Sequence, residues 1–161
     1  MDPRFDKLSL KRELESLLAV DVETLERAPR AAVDAATHEE AKPENDKDTR
    51  ALEASYLARG HALRLEELRT ALAELRAWTP GAAAKGASAV GCLVTAEDED
   101  GDERVYFLAP HGGGQRLAAT AVQVVTPKSP LGRALLGKSE GDEAEVVVEG
   151  RRRALAISSV R

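Results

Sequence analysis

The sequence predicts an α+β fold, in which an N-terminal antiparallel helical hairpin of the coiled-coil type precedes a small antiparallel β domain with one short helix. Strong helix formers and a heptad-like leucine pattern dominate before Pro80, whereas glycines and short β-type runs dominate after it. Because proline and glycine interrupt both helices and strands, residues 79–88 are predicted to be a linker. The predicted domains are therefore residues 1–78 and residues 89–161.

The first arm of the hairpin is predicted from an apolar stripe over residues 4–19. Its members recur at helical spacing: Leu10, Leu14, Leu17 and Leu18. Asp21 is expected to cap a second short helical piece, because aspartate favours the position before a helix. Pro29 is expected in the first turn of a third piece, which Pro43 then ends.

The second arm is predicted as one longer helix that Asp46 or Asp48 caps and that ends near Trp78. Leu52 and Tyr56 extend an apolar face toward the start of this helix. Its main seam has leucines alternately three and four residues apart, which is the spacing of a coiled coil: Leu65, Leu68, Leu72 and Leu75.

A short polar turn joins the two arms, so the arms are predicted to pack antiparallel. A helix of roughly 30 residues would reach on the order of 45 Å. Gly60 lies inside the second arm and costs about 1 kcal/mol relative to alanine. We predict that close approach of the partner helix explains this glycine.

The C-terminal region is predicted to be a sheet of short strands. An acidic turn over residues 97–102 contains Asp-Gly, a strong hairpin signal. One or two helical turns are expected over residues 129–138, with proline near the start and glycine after the end. The predicted strands are residues 89–95, 103–109, 122–126, 143–148 and 153–160.

Composition excludes several classes of protein. The net charge of -5 argues against direct binding of duplex DNA through its phosphates. A single cysteine, Cys92, permits no intrachain disulfide and fits a reducing compartment. The N-terminus is charged where a signal peptide needs an apolar run, and no stretch reaches the ~20 apolar residues that span a bilayer. We therefore expect a cytoplasmic monomer without membrane association.

The hairpin turn is unusually acidic. Like charges this close repel each other, unless a cation or a basic surface neutralises them. On composition alone, a solvated turn with helix-capping acids is the favoured interpretation. The segment from residue 39 to residue 48 holds five carboxylates: Glu39, Glu40, Glu44, Asp46 and Asp48.

Two blocks of sequence resemble a known family. Glu44-Asn45, residues 51–53 and Gly60 resemble the descending arm of the GreA/GreB coiled coil, and residues 27–30 resemble the start of its ascending arm. Residues 129–143, followed by a valine-rich strand, resemble the signature of the family's C-terminal, FKBP-like domain. The chain is thus identified by resemblance as a GreA/GreB-like transcription elongation factor.

The resemblance implies a partner, bacterial RNA polymerase. The C-terminal domain would dock at the rim of the secondary channel through Ser129, Pro130, Leu131 and Gly132. The coiled coil would enter the channel and promote hydrolysis of backtracked RNA, meeting the RNA 3′ end indirectly. The chain would then be an accessory factor and not itself an enzyme. Its tip acids would help hold a Mg²⁺ ion shared with the polymerase, and the free chain would bind none tightly.

The tip acids are assigned residue by residue. Glu44 falls on the family's tip glutamate, but the family's other acid would lie three residues earlier, at Ala41. A small gap brings Glu40, or less readily Glu39, into that place. We therefore predict Glu40 and Glu44 as the Mg²⁺ ligands. Asp46 is a further candidate among the tip carboxylates.

Two other functions are open. A non-catalytic, Rnk-like regulator would occupy the secondary channel without stimulating cleavage, and the altered tip favours this over a standard tip. An FKBP-like prolyl isomerase or peptide-binding module needs an aromatic-lined cavity. After the linker the chain has only Tyr106 and Phe107, which as neighbours on a strand face opposite ways.

Overall fold

A computed structural model describes residues 5–38, 47–119 and 121–161. Their contacts form two compact units. The sheet unit contains residues 5–15 and 74–161, and the helical unit contains residues 16–73. The predicted boundary at residue 78 separates the helices from the strands. The contacts instead place the start of the first helix and the end of the second helix in the same unit as the sheet.

Helix α1 runs from Lys7 to His38 without interruption. Asp6 caps it: its carboxylate accepts the Ser9 N–H at 2.9 Å and the Ser9 hydroxyl at 2.7 Å. These bonds to the charged carboxylate lower the pKa of Asp6. The prediction of separate pieces beginning at Asp21 and Pro29 is wrong. Buried apolar residues recur every four positions along α1 and favour one continuous helix over these local signals: Leu10, Leu14, Leu18 and Val22.

Helix α2 runs from Lys47 to Ala77. Its predicted seam is confirmed toward the C-terminal end, where Leu72 and Leu75 are buried. Side chains from residue 49 to residue 64 are all exposed, so the apolar face predicted to continue through Leu52 and Tyr56 is not buried. The described residues also give no support to the explanation predicted for Gly60, because a Cβ added there would meet none of them within 4 Å.

The sheet unit holds six strands and one short helix: β1 Leu93–Asp98, β2 Glu103–Leu108, β3 Arg116–Leu117, β4 Val122–Val125, α3 Pro130–Leu135, β5 Glu143–Val148 and β6 Arg151–Val160. The strands lie in the order β3-β4-β2-β1-β6-β5. The predicted α+β class is confirmed. The sheet is mixed, however, because β2 and β4 pair in parallel while the other pairs are antiparallel. Residues 109–121 connect β2 to β4, and this segment is long enough for the crossover of about a dozen residues that a parallel pair needs.

The predicted hairpin between β1 and β2 is confirmed. The Asp98 carboxylate accepts the backbone N–H groups of Asp100 at 3.1 Å and Asp102 at 3.0 Å. Gly101 has φ +83°, the left-handed conformation that glycine adopts without strain. The Asp98 carboxylate therefore has a structural role in closing this turn.

Both faces of the sheet are covered. Phe107 is fully buried, and its ring centroid lies 6.0 Å from that of Trp78. Tyr106 faces the other way, as predicted, and burial raises the pKa of its hydroxyl. Cys92 is fully buried as a small apolar residue. The cluster around Tyr106 comprises Cys92, Val94, Ala96, Leu108, Val125, Leu135, Ala144, Val146, Leu155 and Ile157.

Among the described residues, neither long helix has the continuous apolar stretch that crossing a bilayer requires.

Candidate functional site

The predicted tip carboxylates Glu40, Glu44 and Asp46 lie outside the described residues, as do Glu39 and Ala41. In sequence they fall between the end of α1 at His38 and the start of α2 at Lys47. Within residues 5–38, 47–119 and 121–161, no group of His, Cys, Asp or Glu side chains is arranged to hold a metal ion.

The predicted polymerase-binding segment, residues 129–132, begins helix α3. Ser129 is the N-cap: its hydroxyl accepts the Gly132 N–H at 3.0 Å and donates to the Thr126 carbonyl at 2.9 Å. Pro130 occupies the first helical turn, where its missing N–H costs nothing. The serine and the proline therefore set the start of α3.

Gly132 is fixed by close packing of two backbone segments. A Cβ at this position would lie 2.6 Å from the Thr126 carbonyl carbon and closer still to the carbonyl oxygen. Any other residue would push α3 away from the end of β4. Leu131 is half-buried and packs against the core beside the fully buried Leu135. The residue types of this segment are thus explained by folding of the sheet unit.

Part of the same segment also borders solvent. Ser129, Pro130 and Leu131 line an open depression of about 520 Å³, together with residues of β4 and β5. Val147 and Val148, at the end of β5, are 56% and 43% exposed and line it too. The remaining lining residues are Gly113, Gly114, Gln123, Val124, Val125, Thr126 and Glu149. Exposed apolar side chains that adjoin a depression mark a surface suited to contact with another protein.

Val147 and Val148 were not predicted from the sequence to be surface residues. The signal was present, because three consecutive valines, residues 146–148, break the alternation of a half-buried strand. Strand β5 lies at the edge of the sheet, so its last two valines are not covered. Val146 alone points into the core.

Comparison with known proteins decides the family. Residues 84–161 match the family model described as "Transcription elongation factor, GreA/GreB, C-term". The transcription elongation factor GreA of Cereibacter sphaeroides (strain ATCC 17029 / ATH 2.4.9) is 32% identical over 162 residues, covering 97% of this chain and 98% of that protein. The chain belongs to the GreA/GreB family. It is a transcription elongation factor of that family, and the resemblance seen in the sequence is confirmed.

Two further similarities accompany this family assignment. The GreA of Paracoccus denitrificans (strain Pd 1222) is 39% identical over 77 residues, a match that spans 47% of this chain and 47% of that protein. Among solved structures, the GreA factor homolog 1 (Gfh1) protein of Thermus thermophilus is 17% identical with a TM-score of 0.39, covering 94% of each chain.

Proposed function

We propose that this GreA/GreB family member binds bacterial RNA polymerase in its secondary channel and stimulates cleavage of backtracked transcripts, which aids elongation. The observation that carries the proposal is the match to a GreA along 97% of the chain, including the acidic segment between α1 and α2. In this proposal the protein is an accessory factor, and the polymerase performs the hydrolysis.

The proposed acting groups are the carboxylates of Glu40, Glu44 and Asp46. Carboxylate oxygens suit Mg²⁺, which commonly takes one or two protein carboxylates and keeps several waters. When bound between factor and polymerase, such an ion would stabilise the attacking and leaving oxygens of an in-line displacement. Glu40 and Glu44 would supply ligands and negative charge. One or two carboxylates alone do not complete an octahedral site, so we expect tight binding only in the complex.

The proposed docking surface lies around the depression at the start of α3. The Ser129 hydroxyl is already engaged by Gly132 and Thr126, and Gly132 has no side chain. We therefore assign direct contact with the polymerase to Pro130 and Leu131, joined by the exposed Val147 and Val148. Ser129 and Gly132 would act by holding Pro130 and Leu131 in position.

A cleavage assay on backtracked complexes tests the role of the tip. We expect Glu44→Ala and Glu40→Ala each to reduce cleavage by about tenfold or more, because each removes a ligand of the shared ion. Binding to the polymerase should persist. Glu53→Ala is the matched control, since Glu53 is an exposed acid on α2 outside the segment. Cleavage at the wild-type rate by both tip variants would contradict the assignment.

A second candidate function rests on Ala41. This alanine stands where the family resemblance places an acid, which favours a regulator that occupies the channel without stimulating cleavage. The same assay separates the two functions. A wild-type protein that binds the polymerase but leaves backtracked RNA uncut would support the regulator.

A further inference from the structure

Strand register places three arginines on the same face of the sheet as Tyr106. Arg104 lies two residues before Tyr106 on β2, and alternate residues of a strand share a face. Arg116 on β3 and Tyr106 on β2 flank the same position of β4, in register with it. Arg153 on β6 lies opposite Val146, which packs in the core cluster around Tyr106. All three arginines are exposed. We call them, together with Tyr106, the arginine site.

The Tyr106 hydroxyl is a polar group that the described residues leave without a hydrogen bond. Tyr106 is only 4% exposed, but its hydroxyl oxygen is not enclosed, because every enclosed side-chain oxygen or nitrogen in the described part of the chain has a partner. Burial raises the pKa of this hydroxyl, so it keeps its proton at neutral pH and can donate a hydrogen bond. Such groups usually have a partner in native structures, so the hydroxyl is a candidate contact for a bound molecule.

Positive charge dominates around this hydroxyl. After burial, which has the largest influence on its pKa and raises it, the pKa is lowered by Arg104, Arg116 and Arg153 and raised by Asp98. Asp98 is already engaged, because it accepts two N–H groups of its own turn and pairs with Arg104 at 3.5 Å. In the described parts of the chain, Arg116 and Arg153 form no ion pair. The site therefore carries an excess of positive charge.

The arginine site adjoins the depression at the start of α3. Gln123 lines the depression and is the β4 neighbour of both Arg116 and Tyr106. Val148 also lines it, two residues along β5 from the position opposite Arg153. A surface that joins an apolar depression to a positive site is complementary to a polypeptide with both apolar and acidic side chains. It suits a nucleic acid less, because acids of the β1–β2 turn border Arg153 and would repel phosphates.

We propose that the arginine site binds a carboxylate side chain of a protein partner whose apolar side chains lie in the depression. The Tyr106 hydroxyl donates to the carboxylate, and the arginines add charge-assisted hydrogen bonds, which are stronger than neutral ones. Arginine suits this role, since its planar guanidinium matches the geometry of a carboxylate. The identity of the partner rests on the proposed function: the partner is RNA polymerase, and the occupant is an acidic segment of its surface.

A titration without polymerase tests the arginine site itself. The probe is a blocked tripeptide of three glutamates, and the readout is the NMR signals of the arginine Nε–H groups and the Tyr106 ring. We expect saturable shifts with a Kd of about 1–10 mM, and none with a tripeptide of three glutamines. The double variant Arg116→Gln/Arg153→Gln should weaken binding at least about tenfold, because it removes two charged donors. The matched control is Arg133→Gln/Arg152→Gln, which removes the same charge from exposed arginines outside the site.

Tyr106→Phe separates the hydroxyl from the packing of the ring. The substitution keeps the buried ring and removes only a group that has no hydrogen-bond partner among the described residues. It should weaken binding of the glutamate tripeptide about three- to tenfold. The urea midpoint of unfolding should not fall, because no hydrogen bond between described residues is lost. A lowered midpoint with unchanged tripeptide binding would show that the hydroxyl serves the fold, and would overturn its role in the site.

Binding of the full chain to core RNA polymerase tests the occupant. The affinity of the wild type should fall as NaCl rises from about 50 mM to about 300 mM, since salt screens a contact between carboxylates and arginines. Arg116→Gln/Arg153→Gln should bind at least about tenfold more weakly at low salt and should depend less on salt. Arg133→Gln/Arg152→Gln should behave like the wild type.

Each failure has a separate meaning. Shifts that are absent up to about 50 mM glutamate tripeptide, or that are equal with the glutamine tripeptide, would overturn the carboxylate site. Inorganic phosphate that binds at least about tenfold more tightly than the glutamate tripeptide would overturn the protein partner in favour of a small phosphate ligand. Wild-type polymerase affinity in Arg116→Gln/Arg153→Gln would overturn the polymerase as occupant and leave the proposed function standing. A wild-type chain that binds the glutamate tripeptide but not the polymerase would contradict the proposed function and support the carboxylate site.

Discussion

The start of α3 in the sheet unit and residues 49–64 of α2 in the helical unit differ in how tightly the rest of the chain packs around them. In the sheet unit, the segment beginning at Ser129 is constrained from within: a capping hydroxyl, a proline in the first turn and a glycine pressed against the Thr126 carbonyl. On α2, side chains from residue 49 to residue 64 are exposed, large apolar ones included. A recognisable sequence motif can therefore reflect folding as much as binding, whereas residues 49–64 of α2 are not buried by any described part of the chain.

The largest expected effect is in the core of the sheet unit. Phe107→Ala should lower the free energy of unfolding by about 3–5 kcal/mol, because it empties a fully buried site beside Trp78. Trp78 is the single tryptophan, so its fluorescence reports this unfolding directly. Leu57→Ala is the control: Leu57 is 67% exposed on α2, and its loss should change stability by no more than about 0.5 kcal/mol. Equal losses would mean that the two regions do not differ.

The next effect is at Gly132. Gly132→Ala should lower the free energy of unfolding by about 1–3 kcal/mol, because the added methyl group collides with the backbone at Thr126. Urea denaturation followed by Trp78 fluorescence measures the change. Unchanged stability would show that α3 can move away from β4 at little cost, and would weaken the structural explanation of this glycine.

The smallest effect is the same substitution on α2. Gly60→Ala should raise the free energy of unfolding of the helical unit by about 0.5–1 kcal/mol, since alanine favours helix and the new methyl group would meet none of the described residues. Thermal unfolding followed by far-UV circular dichroism at low protein concentration is the appropriate measurement. A loss of stability would indicate a close neighbour at Gly60 within the monomer and would remove the contrast with Gly132.

Local patterns allowed much of the sheet unit to be predicted. The Asp-Gly turn and the flanking apolar runs predicted the β1–β2 hairpin, and Pro130 with Gly137 predicted the short helix. These signals act over a few residues and depend little on the rest of the chain. The parallel pairing of β2 with β4 was not predicted, because it depends on the path of residues 109–121 and not on the composition of either strand.

The helical unit was predicted less accurately for a related reason. Asp21 and Pro29 are local signals for helix starts, but α1 continues through both. Burial of the apolar positions spaced by four residues stabilises one continuous helix more than such local signals favour a break. This burial can be recognised only when the packing partners are known. The heptad rule correctly predicted burial at Leu72 and Leu75, but the apolar face extended through Leu52 and Tyr56 is exposed.

Binding to core RNA polymerase tests the central claim most directly. Pull-down and fluorescence titration with purified core enzyme should give a saturable complex. The double variant Val147→Asp/Val148→Asp should bind at least about tenfold more weakly, because it places charges on the exposed apolar edge of the docking surface. The control is Leu8→Asp, a 47% exposed leucine on α1 outside that surface, which should bind like the wild type. Failure of the wild-type chain to associate with the polymerase would contradict the account.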